Sequence, residues 1–157
     1  MTNRQWRFGT LDLRRARRAA IVWGLFLLAL TSWPSPPEIP SAWAFPDMDK
    51  VVHGLLYGVE GFLLYFAIAW PAGRSRRPFL RALAVGGAIA VWGTLDEIHQ
   101  AFIPGRAMEG MDAVVDTAGG FLGALVASRV ATSLRPSRSD PRTDSRGPAR
   151  SPTASGS

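Results

Sequence analysis

The 157-residue sequence contains no cysteine, which excludes a disulfide framework and any thiolate metal site. Only two histidines are present, His53 and His99, and neither stands in a ligand spacing such as HExxH, so no metal and no cofactor is assigned. Aspartates beside a histidine still leave Mg²⁺ or Zn²⁺ chemically open. Acids are few, 12 against 18 Lys and Arg, yet the basic excess contains no nucleic-acid recognition motif. Charge of either sign is nearly missing from four stretches, and these carry the first message of the chain.

Ala19 to Trp33 has no charge; Val51 to Trp70 carries only His53 and Glu60; Leu80 to Leu95 only Arg81; Met111 to Ala127 only Asp112 and Asp116. A bilayer core is spanned by roughly 20 apolar residues, about 17 to 25. The second and fourth runs meet that length. The first meets it if Arg17 and Arg18 snorkel to the headgroups, and the third if its helix continues through DEIHQAFI to the breaker Pro104-Gly105. A signal peptide shares the basic, apolar, turn-rich order of the first run, but LALTSWPSPP offers no small-x-small cleavage site, so a membrane anchor is expected there. The expected fold class is all-α, an integral membrane bundle of four transmembrane helices. Residues 1–18 form a basic N-terminal tail, 19–134 the membrane domain, and 135–157, rich in Ser, Pro, Arg and Gly, a disordered basic tail.

Orientation follows from the cations. Arg4, Arg7, Arg14, Arg15, Arg17 and Arg18 precede the first run; Arg74, Arg76, Arg77 and Arg81 surround the second connection; Arg129, Arg135, Arg138, Arg142, Arg146 and Arg150 follow the fourth. Lys50 and Arg106 alone fall on the other side. The positive-inside rule places both termini in the cytoplasm of a multi-pass protein of the plasma membrane, with loops 34–50 and 103–110 outward. The arginines are then a topology signal and a contact for the lipid bilayer, with no nucleic-acid partner implied. Tryptophans 23, 33, 43, 70 and 92 are expected as interfacial anchors, Gly86-Gly87 as a close helix contact, and PSPPEIP as a stiff outer linker.

Against this background the acids are informative. Asp96, Glu97, Asp112 and Asp116 belong to the outward ends of the third and fourth helices, and His53 to that of the second. At about 100° per residue, His53, Tyr57, Glu60 and Leu64 share one face, Asp96, His99 and Gln100 another with Glu97 beside them, and Asp112, Asp116, Gly119 and Gly123 a third. An acid deep in a membrane helix costs roughly 2.5–3.5 kcal/mol on insertion scales, so several need pairing, water or a function. Asp112 opens its helix and is explained equally well as a cap. Asp116 lies a turn deeper, beyond a cap. Asp96 and Glu97 face the negative end of their helix dipole, so a structural role requires a partner among Arg106, Lys50 and His53. Glu60, near the midplane, is expected to be protonated or paired.

DKVVHGLLYG, LDEIHQAFIPGR and MDAVVDTAGGFLGALVA, in that order, resemble the VanZ-like membrane proteins, a family named for a member associated with resistance to teicoplanin. The resemblance covers Asp49 to Ala127. It implies that Asp49, Lys50, His53 and Tyr57, then Asp96, Glu97, His99, Gln100, Pro104, Gly105 and Arg106, then Asp112, Asp116 and Gly120 are motif positions, in a cell-envelope context. Glu60 and Glu109-Gly110 depart from the pattern.

Three functions from different classes follow. In the first, an outward-facing polar site binds or modifies an anionic lipid-linked or cell-wall precursor and so contributes to glycopeptide (antibiotic) resistance. His53, Asp96, Glu97 and Asp116 are its candidate catalytic residues, and Lys50, Tyr57, His99, Gln100, Arg106 and Asp112 its ligand-binding residues. The second is a proton-coupled transporter with Glu60 below His53 as a relay. The third is a non-catalytic scaffold whose polar groups hold the helices together. Catalysis, ligand identity and oligomeric state are not fixed by the residues.

Overall fold

The computed structural model describes residues 5–34, 46–68 and 77–133. They form four helices, α1 (Gln5–Thr31), α2 (Met48–Ala67), α3 (Pro78–Gln100) and α4 (Gly110–Ser133), with no strand among the described residues. The all-helical architecture and the number of helices are those expected. Most of the PSPPEIP linker, Trp43, Trp70 and the C-terminal tail lie outside the described residues.

Helix boundaries differ from expectation in ways the local chemistry explains. α1 begins at Gln5, so the arginine-rich segment is helical and continuous with the apolar run; Arg, Leu and Ala all favour helix, and no proline interrupts them before Pro34. Proline in its first turn starts α3, where the missing N–H is not needed. That helix stops at Gln100, short of Pro104, and tightens into turns in which the Phe102 N–H donates to His99 O and the Ile103 N–H to Gln100 O.

α4 lies against both α2 and α3, and α1 packs mainly on α2. The α2–α4 seam is made of glycine: a Cβ at Gly61 would collide with the Gly120 carbonyl, one at Gly119 with that of Gly54, and one at Gly123 with that of Gly58. The expected stripe of Gly119 and Gly123 is therefore a backbone-to-backbone contact. Opposite it, α3 seats Ile89 on Gly120 and Gly93 on Asp116. Of the expected pair Gly86-Gly87, only Gly86 is a packing position, against Phe121; Gly87 faces open space. Trp23 is half-buried and turned inward, with its indole N–H donating to Leu56 O at 3.0 Å, a helix-to-helix tie in place of an interfacial anchor.

The distribution of polarity is inverted relative to a water-soluble bundle. Ile21, Leu25, Leu55, Val59, Leu83, Val91, Leu122 and Val126 are exposed, while Glu60, Asp96, Glu97, Gln100, Asp112 and Asp116 are buried. α3 and α4 are long and apolar enough to cross a membrane. α1 carries Arg14, Arg15, Arg17 and Arg18 in its first half, and α2 carries Asp49, Lys50 and Glu60, which keeps both below that standard of length and composition.

Candidate functional site: a polar cluster shared by four helices

α2 and α4 start, and α1 and α3 finish, at the same end of the bundle, and the polar side chains meet there in two layers. Exposed Asp49 and Glu109 and the buried Asp112 form the outer layer around Lys50, whose ammonium donates to them at 2.9, 2.8 and 2.8 Å respectively. Lys50 and Asp49 precede the apolar run of α2. The carboxylates, Asp112 foremost and then Glu109 and Asp49, hold the Lys50 proton more firmly than water does, and the ammonium keeps the Asp49 carboxyl below its ordinary range.

Beneath it, Asp96 accepts from three helices: from the Tyr57 hydroxyl at 2.8 Å, from the Thr31 hydroxyl at 2.8 Å and from the Gln100 amide at 3.3 Å. Glu97 accepts from the Gln100 amide at 3.3 Å and from the Glu109 backbone N–H at 2.8 Å, which ties the α3–α4 connection down onto α3. His53 Nδ1 lies 3.2 Å from Asp116 Oδ1, and its Nε2 lies 4.0 Å from Asp112 Oδ2, so the imidazole bridges two acids one turn apart on α4. Asp112, for which capping was an equal explanation, turns its side chain to Lys50 and His53. Asp116 is 0% exposed and its Oδ2 has no hydrogen-bond partner among the described residues.

The structure thus brings together His53, Tyr57, Asp96, Glu97, Gln100, Asp112, Asp116 and Lys50. It places the other two sequence candidates elsewhere. His99 Nε2 is 3.0 Å from the Ser32 hydroxyl, on the α1 side of α3. Arg106 donates from Nη2 to Leu30 O at 2.9 Å and from Nε to Trp33 O at 3.2 Å, capping the C-terminus of α1 where free carbonyls and the negative dipole end favour a cation. Gly105, at φ 81°, makes this possible: a side chain there would strike Pro34 O. Arg106 accordingly fastens α1 and does not reach over the acids.

Thr31 and Ser32 were missed by sequence reasoning. They end the first apolar run in LALTSW, at the same depth as DEIHQ, and that shared depth was the available signal. Glu60 Oε2 is buried without a hydrogen-bond partner among the described residues, and the acid lies beside Gly24 of α1, where a Cβ would stand in ordinary contact, 3.7 Å from its Oε1.

A groove of about 770 Å³ runs along the outer face of α2 and α4. Leu55, Val59, Phe62, Leu122 and Val126 line it, and Lys50 and Asp47 stand at its polar end.

These features define an all-helical protein with apolar helices of membrane-crossing length, an apolar exterior and an interior cluster of acids. The chain belongs to the VanZ/LLP1 family, whose model matches residues 13–131. A comparison with curated proteins and one with solved structures each found no match. The family membership and the two apolar helices together support a membrane protein.

Proposed function

We propose that all four helices span the plasma membrane, with both termini cytoplasmic, and that the polar end faces outward to bind an envelope lipid or lipid-linked wall precursor. The arginine asymmetry supports the orientation, and the exposed apolar side chains on α1 and α2 support their burial in lipid despite the charges at their ends. The ligand's chain lies in the α2–α4 groove and its anionic head meets Lys50, which exchanges a carboxylate partner for it. In this reading His53 with Asp116, and Asp96 or Glu97, supply proton exchange if the ligand is modified. The consequence is reduced access of a teicoplanin-type glycopeptide to its target.

The observation that carries the reading is the convergence of His53, Asp96, Glu97 and Asp116 from three helices at one depth, beside an apolar groove. The test is expression in a glycopeptide-susceptible bacterium, with teicoplanin and vancomycin susceptibility measured for the wild type, His53→Ala and Asp96→Asn at matched membrane abundance. Protection by the wild type that both variants lose is expected. Equal protection by the variants, or none from the wild type, contradicts it.

A second reading, a proton-coupled transporter, draws on Glu60, a buried acid below the cluster with an oxygen that has no partner among the described residues. Loss of activity in Glu60→Gln with the polar end intact favours it.

A further inference from the structure

Among the described residues, two trios of ligand-type side chains lie at the polar end, and they differ in what neutralises them. In Asp49, Glu109 and Asp112 the ammonium of Lys50 already occupies the space between the carboxylates. The inner trio, His53, Glu97 and Asp116, comes from α2, α3 and α4, and Lys50 is committed to the outer layer. One ligand atom from each of the three lies within 4.8 Å of the others, so a common centre is at most ~2.8 Å from each. Small rotamer changes close that to the 2.0–2.2 Å of Zn²⁺ bonds to imidazole and carboxylate, about the usual length.

A second, independent observation points into this space. Asp116 is wholly buried, its Oδ1 faces His53, and its Oδ2 lacks any hydrogen-bond partner among the described residues. Oδ2 lies against Gly93 on α3, where a Cβ would stand only 3.2 Å away, and Glu97 is one turn further along that same face. A buried carboxylate oxygen without a donor is costly, and a coordinated cation removes the cost. Nearby donors are already assigned: Tyr57 and Thr31 to Asp96, and Gln100 to Asp96 and Glu97.

The geometry points to a divalent transition-metal site formed by His53, Glu97 and Asp116. One imidazole with two carboxylates is a set that Zn²⁺ and Mn²⁺ accept and that the harder Mg²⁺ and Ca²⁺ favour less. Three protein ligands leave at least one position open in a tetrahedral ion. The ion also offsets the surplus of buried carboxylates there and ties together the three helices that form the cluster.

The test uses the full-length chain in lipid nanodiscs. Equilibrium dialysis against Zn²⁺ with elemental analysis gives stoichiometry and affinity, and Mn²⁺ serves as a spectroscopic probe by electron spin-echo envelope modulation. The expected results are one ion per chain, nitrogen modulation from a directly coordinated imidazole, and at least a tenfold loss of Zn²⁺ affinity in Asp116→Asn and in His53→Ala, with Asp49→Asn unaffected. Absence of stoichiometric binding by the wild type, absence of nitrogen modulation, or unchanged affinity in both inner-trio variants overturns the site. The wild-type measurements stand even if a variant fails to fold. Metal binding is read without glycopeptide susceptibility, so the two proposals fail separately.

Discussion

The Tyr57 hydroxyl donates to Asp96 Oδ2 at 2.8 Å, joining α2 to α3 through two side chains that are both buried. α2 and α3 otherwise touch only lightly, each resting chiefly on α4. This hydrogen bond is therefore the most specific tie between them. Removing the hydroxyl in Tyr57→Phe leaves Asp96 with the Thr31 and Gln100 donors, so the expected destabilisation is about 1 kcal/mol and not the larger cost of a fully orphaned carboxylate. Asp96→Asn in the Tyr57→Phe background should cost less than Asp96→Asn alone. Thermal unfolding of the four proteins of that cycle, followed by circular dichroism in detergent, measures both.

The glycine seam makes a contrast within one residue type. Gly61→Ala and Gly123→Ala push a methyl into the carbonyls of Gly120 and Gly58, where backbone must move, and should each destabilise by about 1–3 kcal/mol or prevent folding. Gly87→Ala meets nothing within 4 Å and should be neutral or gain up to about 1 kcal/mol from helix propensity. Unfolding temperatures and yields of folded protein separate these outcomes.

Lys50 supports three carboxylates, of which only Asp112 is well buried. Lys50→Met should destabilise by about 1–2 kcal/mol, between an exposed ion pair and a buried one, with most of the loss traced to Asp112. Adding Asp112→Asn to Lys50→Met should restore part of it. An additive second loss would place the ion pair outside the folded core.

Glu60 is the opposite case, an acid whose Oε2 has no hydrogen-bond partner among the described residues. Glu60→Gln should leave stability unchanged or raise it by about 1 kcal/mol, since a buried amide without a partner costs less than a buried carboxylate. A clear loss of stability would reveal a partner for this oxygen.

Much of this was legible in the sequence because membrane-type helices are written as charge-free runs, and because 100° per residue puts His53 with Tyr57 and Asp112 with Asp116 on common faces. Glycines 119 and 123 were readable for the same reason. What escaped was whatever depends on how neighbouring helices rotate and slide. Arg106 was expected as a partner for Asp96 and Glu97 and as a ligand-binding residue, but the left-handed turn at Gly105 aims it at the α1 carbonyls. His99 follows Asp96 by three residues, yet the end of α1 captures it through Ser32. Thr31 carried only the signal of a depth shared with DEIHQ, since a hydroxyl at the end of an apolar run satisfies its own helix equally well, and here it also bonds Leu27 O. Glu97 reads as flanking in projection and is among the most buried residues of the chain, because the Glu109 backbone folds over it.

Acids and a histidine from separate helices face one another inside the bundle. The absence of native cysteine allows a direct measurement: paired His53→Cys and Asp116→Cys substitutions, treated in membranes with a short bifunctional methanethiosulfonate and analysed by intact mass. A single bridging reagent per chain with no free thiol is expected for this pair. His53→Cys with Leu95→Cys, whose α3 side chain is exposed on the outside of the bundle, should carry two separately capped thiols. Bridging of the Leu95 pair in preference to the Asp116 pair would contradict the account.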